Sequence, residues 1–363
     1  MLIDTKKIKM FILISLVLFT ITACSFKNSE SQSATLLDDK NEEIKKIAII
    51  FNEAGLGDKS FNDLCYDGML SAQGKLGIEF DYSQSKSKDD YETLCREYAK
   101  TKEYDLIISV GLEQEKAIKK ISKEFPNQKF TLMDSKLDLP NVSSIFTNWP
   151  EQTFLNGVIA GLAISNDRDR AKGEEVVGVI IGKDLSHLKE GAVGFEAGVR
   201  YVNPDIKVIV ASVDDFSDPA KAKEIALLMY NKGASYIQHI AGESGLGVFA
   251  AAKEAGKYAF GIDDNQNFFE PDYIVATAIR YVNEIIYNEI EKIVNDTWSP
   301  GTHKFGLEEN FIGYTREGSN VKIEDNIIQS VEKIKQDIIN KKITIPSTYE
   351  ELEVWIKSNK YKN

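Results

Sequence analysis

Two acids, two phenylalanines and one arginine stand where apolar runs end, and that placement limits the chemistry open to this chain. Asp134 follows Phe130–Met133, Asp263 follows Ala259–Ile262, Arg280 follows Ile274–Ile279, and Phe61 and Phe216 lie in polar loops after earlier runs. A bare carboxylate at the end of a buried strand is costly unless it is paired or hydrogen-bonded. Asp263 therefore calls for ligand hydroxyls or for an ion pair, and the planar fork of Arg280 suits bidentate contact. Two rings among polar residues suit two plates closing on a planar ligand, where stacking adds about 0.5–1.5 kcal/mol beyond area burial. Local core is the alternative for each ring. Gly55 and Gly57 ahead of Asp58 and Ser60 could cradle phosphate at a helix N-terminus, but the spacing fits neither G-x-G-x-x-G nor G-x-x-x-x-G-K-[ST]. Asp58 or Ser60 serves there as a helix cap or as a ligand contact.

Catalysis finds less support. There is no G-x-S-x-G elbow, and nothing in the sequence places a partner for His187 beside a nucleophile. Asp134 and Asp263 could face each other like a glycosidase pair, yet strand-end carboxylates are equally apt for holding sugar hydroxyls. His187, His239 and His303 are scattered, without H-E-x-x-H or C-x-x-C spacing. A binding protein is expected rather than an enzyme, with no metal and no cofactor.

Positioning those residues takes strands, and the chain supplies them in two rounds. Ile47–Phe51, Ile78–Tyr82, Leu106–Val110, Phe130–Met133 and Val142–Phe146 are short apolar runs, alternating with helical periodicity over Ser60–Gln73, Lys88–Lys102 and Glu113–Phe125. The second round has strands at Val176–Ile181, Val208–Val213, Tyr236–Ile240, Ala259–Ile262 and Ile274–Ile279. Its helices span Phe154–Ser165, Glu190–Val202, Pro219–Asn231 and Gly247–Ala255. Repeated βαβ units make an α/β class protein with mostly parallel sheets in two similar lobes. Ligands of such sheets bind beyond the carboxyl ends of the strands, where the acids, glycines and aromatics collect.

The N-terminus sets the location. Lys6, Lys7 and Lys9 precede an apolar run from Phe11 to Thr20, and Ile21-Thr22-Ala23-Cys24 resembles the bacterial lipobox. Residues 1–23 are expected to be a lipoprotein signal peptide and Cys24 the lipid-bearing residue, with palmitate among its chains. An ordinary secretory peptide or an uncleaved anchor would equally export the chain. Residues 24–43, rich in Ser, Asn, Asp, Glu and Lys, suit a flexible tether. Loss of residues 1–23 removes three Lys and one Asp and moves the formal charge from −12 to −14. That balance argues against a nucleic-acid partner, which needs a basic face. The remaining length fits two domains. Cys65 and Cys95 each fall inside an expected helix and are too few for a disulfide framework.

Together the motifs resemble the basic membrane protein family of bacterial lipoproteins. The likeness is carried by Gly57-Asp58-Lys59-Ser60-Phe61-Asn62, Phe125-Pro126-Asn127-Gln128-Lys129-Phe130 leading to Asp134, and Glu151 through Gly161. It continues through Ala241-Gly242-Glu243-Ser244-Gly245-Leu246-Gly247, Gly261-Ile262-Asp263-Asp264-Asn265-Gln266 and Ile343-Thr344-Ile345-Pro346-Ser347. The resemblance implies a type I periplasmic-binding-protein fold: two Rossmann-like lobes, three crossing segments and a central cleft. By that pattern lobe one is 44–148 with 281–300, lobe two is 149–280 with 301–345, and 346–363 is a tail packed on the body.

The same resemblance implies a monomer, anchored by lipid at the extracytoplasmic face of the cell membrane, that binds a purine nucleoside and passes it to ABC permease and ATPase subunits. Phe61 and Phe216 would sandwich the base, Asn52, Ser60 and Asp134 would read its polar edge, and Asp263, Arg280 and the Gly242 backbone would hold the ribose. Two positions depart from the family pattern, Asn52 in place of Asp and Arg280 in place of Lys. Asn donates as well as accepts, which bears on the choice between 6-oxo and 6-amino purines. The alternatives are another small polar ligand, such as a sugar or signal, or a surface adhesin or regulatory lipoprotein.

Overall fold

In the first lobe, strands form where apolar residues run unbroken, because a parallel strand covered by helices is buried on both faces. The computed structural model describes residues 44–165 and 175–361; the expected signal peptide, Cys24 and tether lie outside them. The chain begins with β1 (Lys46–Phe51), α1 (Phe61–Leu76), β2 (Glu79–Gln84), α2 (Asp90–Thr101), β3 (Leu106–Ser109), α3 (Glu115–Glu124), β4 (Phe130–Met133) and β5 (Val142–Thr147). β1, β3 and β4 are almost wholly buried, whereas β2, at the sheet edge, is largely exposed.

The second round comprises α4 (Trp149–Ser165), β6 (Val176–Ile181), α5 (Ser186–Val202), β7 (Lys207–Ser212), α6 (Pro219–Asn231), β8 (Ala234–Ile240), α7 (Gly245–Ala255), β9 (Tyr258–Asp263) and β10 (Ile274–Arg280). Then come α8 (Val282–Val294), β11 (Gly301–Phe305), β12 (Ile312–Thr315), α9 (Asp325–Ile339) and α10 (Tyr349–Ser358). The first sheet runs β11-β5-β4-β3-β1-β2 and the second β12-β10-β9-β8-β6-β7. Every recorded pairing is parallel except β10 with β12. The two orders are the same pattern repeated, so β4 and β9 hold matching places.

Three segments carry the chain between sheets: β5 into α4, β10 into α8, and β11 into β12. α8 returns to pack on α1 of the first lobe, and β12 closes the edge of the second sheet. One boundary differs from the sequence reading. Gly301–Phe305, expected in lobe two, pairs with Ser143–Thr147 in the first sheet, so the third crossing follows Phe305. Its half-exposed alternation of Gly, Thr, His, Lys and Phe offers no apolar run to mark it.

α4 is buried almost all round, as expected of a helix apolar on every face. It lies backbone to backbone on α5: a Cβ added at Gly157 would collide with the Phe195 carbonyl, and one at Gly198 with that of Phe154. This close contact fixes the start of α4 at the cleft. α9 packs on α4 and α10 on α5, with Trp355 set edge-on to Phe154 and the Tyr361 N–H donating to the Tyr201 carbonyl. Cys65 and Cys95 are free and buried in separate cores. No helix of the described residues is long and apolar enough to cross a membrane.

Candidate functional site

The two strand-end acids meet over one guanidinium. Asp134 follows β4 and Asp263 ends β9, and each takes a left-handed backbone, with φ of 57° and 64°. Asp tolerates that region better than most residues, and here it turns both carboxylates off the sheet tops. Arg280, the last residue of β10 at the second crossing, is almost completely buried between them. Its Nη1 donates to Asp134 Oδ1 at 2.8 Å and its Nε to Asp263 Oδ1 at 3.0 Å. Burial works against its charge, but the flanking Asp134 and Asp263 outweigh it and raise its pKa. The guanidinium also lies 4.4 Å from the ring centres of both Phe61 and Trp149, so it is held between two aromatic faces.

Asp263 has two further partners, Ser60 across the cleft and Gln152 within its own lobe. Ser60 Oγ donates to Asp263 Oδ2 at 2.8 Å, and Gln152 Nε2 to Oδ1 at 3.2 Å. Ser60 stands at the N-cap of α1 but does not cap it; Asp58 accepts from the Ser60, Asn62 and Asp63 N–H groups instead. Ser60 and Asp134 were expected to read a ligand's polar edge together with Asn52. In this structure Ser60 donates to Asp263, while Asp134 accepts from the charged guanidinium of Arg280, a strong donor.

Asn52 belongs to a second network, accepting from the Ala54 N–H and from Asn62 Nδ2. Phe216 is braced from below by Gly182, where any Cβ would strike its ring, and by the Gly242 turn, whose φ of 56° brings the backbone under it. Lys183 Nζ lies 5.0 Å over the Phe216 ring and pairs at 3.4 Å with Glu53 of the first lobe.

All eight expected residues, Asn52, Ser60, Phe61, Asp134, Phe216, Gly242, Asp263 and Arg280, line a single cavity, part of it open to solvent. Glu113, Trp149 and His187 line it too and were not anticipated. Glu113 lies in the loop after β3, a strand end that the same positional rule marks. Trp149 and His187 were hidden because α4 and α5 begin at Trp149 and Ser186, ahead of the Phe154 and Glu190 starts that their apolar periodicity suggests. Burial pushes the Glu113 carboxyl up and lowers His187 to about 4. Among the described residues no group of His, Cys, Asp and Glu is arranged to hold a metal.

Two α/β lobes closing a polar, aromatic-lined cavity at their strand ends define a solute-binding protein of the periplasmic type. The chain belongs to the Bmp family, the PnrA-like substrate-binding proteins of ABC transporters, which it matches over residues 44–349. This is a family of binding proteins and not of enzymes. An uncharacterized lipoprotein of Pyrococcus horikoshii is 32% identical over 74% of this chain and 68% of its own length. The ABC transporter nucleoside-binding protein BmpA of Lactococcus lactis is 29% identical, covering 83% of this chain and 89% of that one. Among solved structures, an ABC transporter solute-binding protein of Aeropyrum pernix superposes with a TM-score of 0.77 at 25% identity, covering 86% of this chain and 96% of that one.

Proposed function

We propose that this substrate-binding protein captures a purine nucleoside in the interlobe cavity and delivers it to a membrane permease driven by ATPase subunits. It acts as a monomer held at the extracytoplasmic face of the cell membrane by lipid on Cys24, after removal of residues 1–23. The observation that carries this reading is the composition of the cavity: aromatic rings from opposite lobes, Phe61 and Phe216, beside a buried Asp134–Arg280–Asp263 bridge. Rings suit a planar base and the charged bridge suits ribose hydroxyls. The name of the Lactococcus lactis relative supports the same ligand class.

Asp134 Oδ1 is taken by Arg280, leaving its second oxygen to accept from a ligand. Because both acids reach Arg280 from different lobes, a ligand bound beside it favours the closed form. A micromolar complex corresponds to about −8 kcal/mol. Melting of the full chain in detergent is to be followed with nucleosides, free bases and sugars, since a ligand at about 100 times its Kd adds about 2.7 kcal/mol of stability. Nucleosides are expected to raise the Tm, and Phe61→Ala or Phe216→Ala to abolish the shift. A panel in which only sugars shift the Tm would sink the proposal.

A further inference from the structure

One wall of the cavity stands apart from the Arg280 bridge. Asn52 follows β1 and Glu113 follows β3, neighbouring strands of the first sheet, and both side chains reach over Gly111. A Cβ placed on Gly111 would lie 2.7 Å from Glu113 Oε2 and 3.4 Å from Asn52 Nδ2. The φ of 106° at Gly111 also suits glycine, which leaves this space open.

The direction of the Asn52 amide is fixed by its neighbours. Its Oδ1 accepts from the Ala54 N–H at 3.1 Å and from Asn62 Nδ2 at 2.9 Å. Asn62 is itself held, because the same Nδ2 donates at 2.9 Å to Asp58 Oδ2, and Asp58 is pinned by three backbone N–H groups. The free group of Asn52 is therefore the NH₂, a donor. Glu113 supplies the complement. Its carboxylate is half-buried on the cavity wall, and among the described residues no other side chain donates a hydrogen bond to it.

We infer that Asn52 and Glu113 form a donor–acceptor pair that selects 6-oxopurine nucleosides with no 2-oxo group, guanosine above all, over adenosine and xanthosine. This rests on the nucleoside reading of the cavity. A 6-oxopurine offers O6 to the Asn52 NH₂ and N1–H to the Glu113 carboxylate. Guanine adds the N2 amine beside N1, and the two carboxylate oxygens accept both hydrogens. Adenine reverses the pattern, setting its N6 amine against the Asn52 donor and its bare N1 against the carboxylate. Unpaired polar groups in a buried site are costly, so a site built for one pattern rejects the other. The stacking rings cannot make this choice, because every base has a π face.

Titration calorimetry on the full chain in detergent, with guanosine, inosine, xanthosine and adenosine, tests the pair. Guanosine is expected to bind tightest, inosine next, and xanthosine and adenosine at least tenfold more weakly than guanosine. Glu113→Gln should weaken guanosine at least tenfold and inosine less, since Gln keeps one acceptor but sets a donor against N2. Asn52→Asp should narrow the ratio between guanosine and adenosine. Equal wild-type affinities for guanosine and adenosine, or an equal loss for every nucleoside in Glu113→Gln, would overturn the pair while nucleoside binding stands. If no nucleoside binds, the reading beneath it falls as well, and the pair with it.

Discussion

Asp134 and Asp263 occupy matching places in the two sheets and share a left-handed backbone, but they are held very differently. Asp263 accepts from Arg280, Ser60 and Gln152, whereas Asp134 accepts from Arg280 through a single oxygen. The lobe-two acid is thus an anchor with three partners within the protein, and the lobe-one acid keeps one oxygen that no side chain of the described residues donates to. The contrast continues deeper in the sheets. β1 pairs Ile50 with Ser109 of β3, while β6 pairs Ile180 with His239 of β8, so one lobe buries a hydroxyl where the other buries an imidazole. A repeated topology sets where these residues stand, and the local partners set what each can do.

The bridge between the two acids is where the comparison is easiest to break. Arg280→Met leaves two buried carboxylates without their cation and is expected to cost about 3–5 kcal/mol in denaturant unfolding, with Arg280→Lys milder. The acids themselves should then separate. Asp263→Asn, which weakens three charge-assisted contacts, is expected to lose about 2–3 kcal/mol of stability, and Asp134→Asn about 1 kcal/mol. In ligand titrations the order should reverse, with Asp134→Asn the more harmful; equal stability losses would erase the distinction between anchor and reader.

His239 sharpens the comparison through pH. Burial lowers it to about 4 from an ordinary value of 6.5, so it stays neutral in the folded protein while the unfolded chain binds a proton. The unfolded state therefore takes up more protons between those values, and stability falls as pH drops through them. Relative to wild type, His239→Gln should lessen the loss between pH 7 and pH 5 by about 2 kcal/mol, read from unfolding curves at each pH. No such change is expected from Ser109→Ala. The smallest effect belongs to the Lys183–Glu53 pair at the cleft mouth. Lys183→Ala is expected to change stability by less than about 1 kcal/mol, and added salt to shrink the difference further.

Much of this was legible because strands buried on both faces must be apolar runs. The central strands of both sheets, and the acids beyond β4 and β9, fall where that rule points. β11 escaped it: its five residues alternate small, charged and aromatic side chains at a half-exposed edge. The starts of α4 and α5 escaped for a related reason. Trp149-Pro150 and Ser186-His187 carry no helical periodicity of their own, yet they deliver Trp149 and His187 to the cavity. Glu113 was open to the strand-end rule and was masked by its apparent place in an amphipathic helix.

By itself the sequence determined the alternation of strands and helices, the repeat of that pattern, and the collection of polar and aromatic groups at strand ends. Those follow from local periodicity, which spans a few residues and needs no partner. Tertiary structure alone decided that Arg280 sits between Asp134, 146 positions away in the chain, and Asp263, only 17 away. It also decided that Ser60 joins that bridge and that Asn52 and Glu113 meet over Gly111. Side chains so far apart along the chain are brought within 3 Å of one another only when two sheets close over a shared cavity, and the strongest available donor then chooses its acceptors.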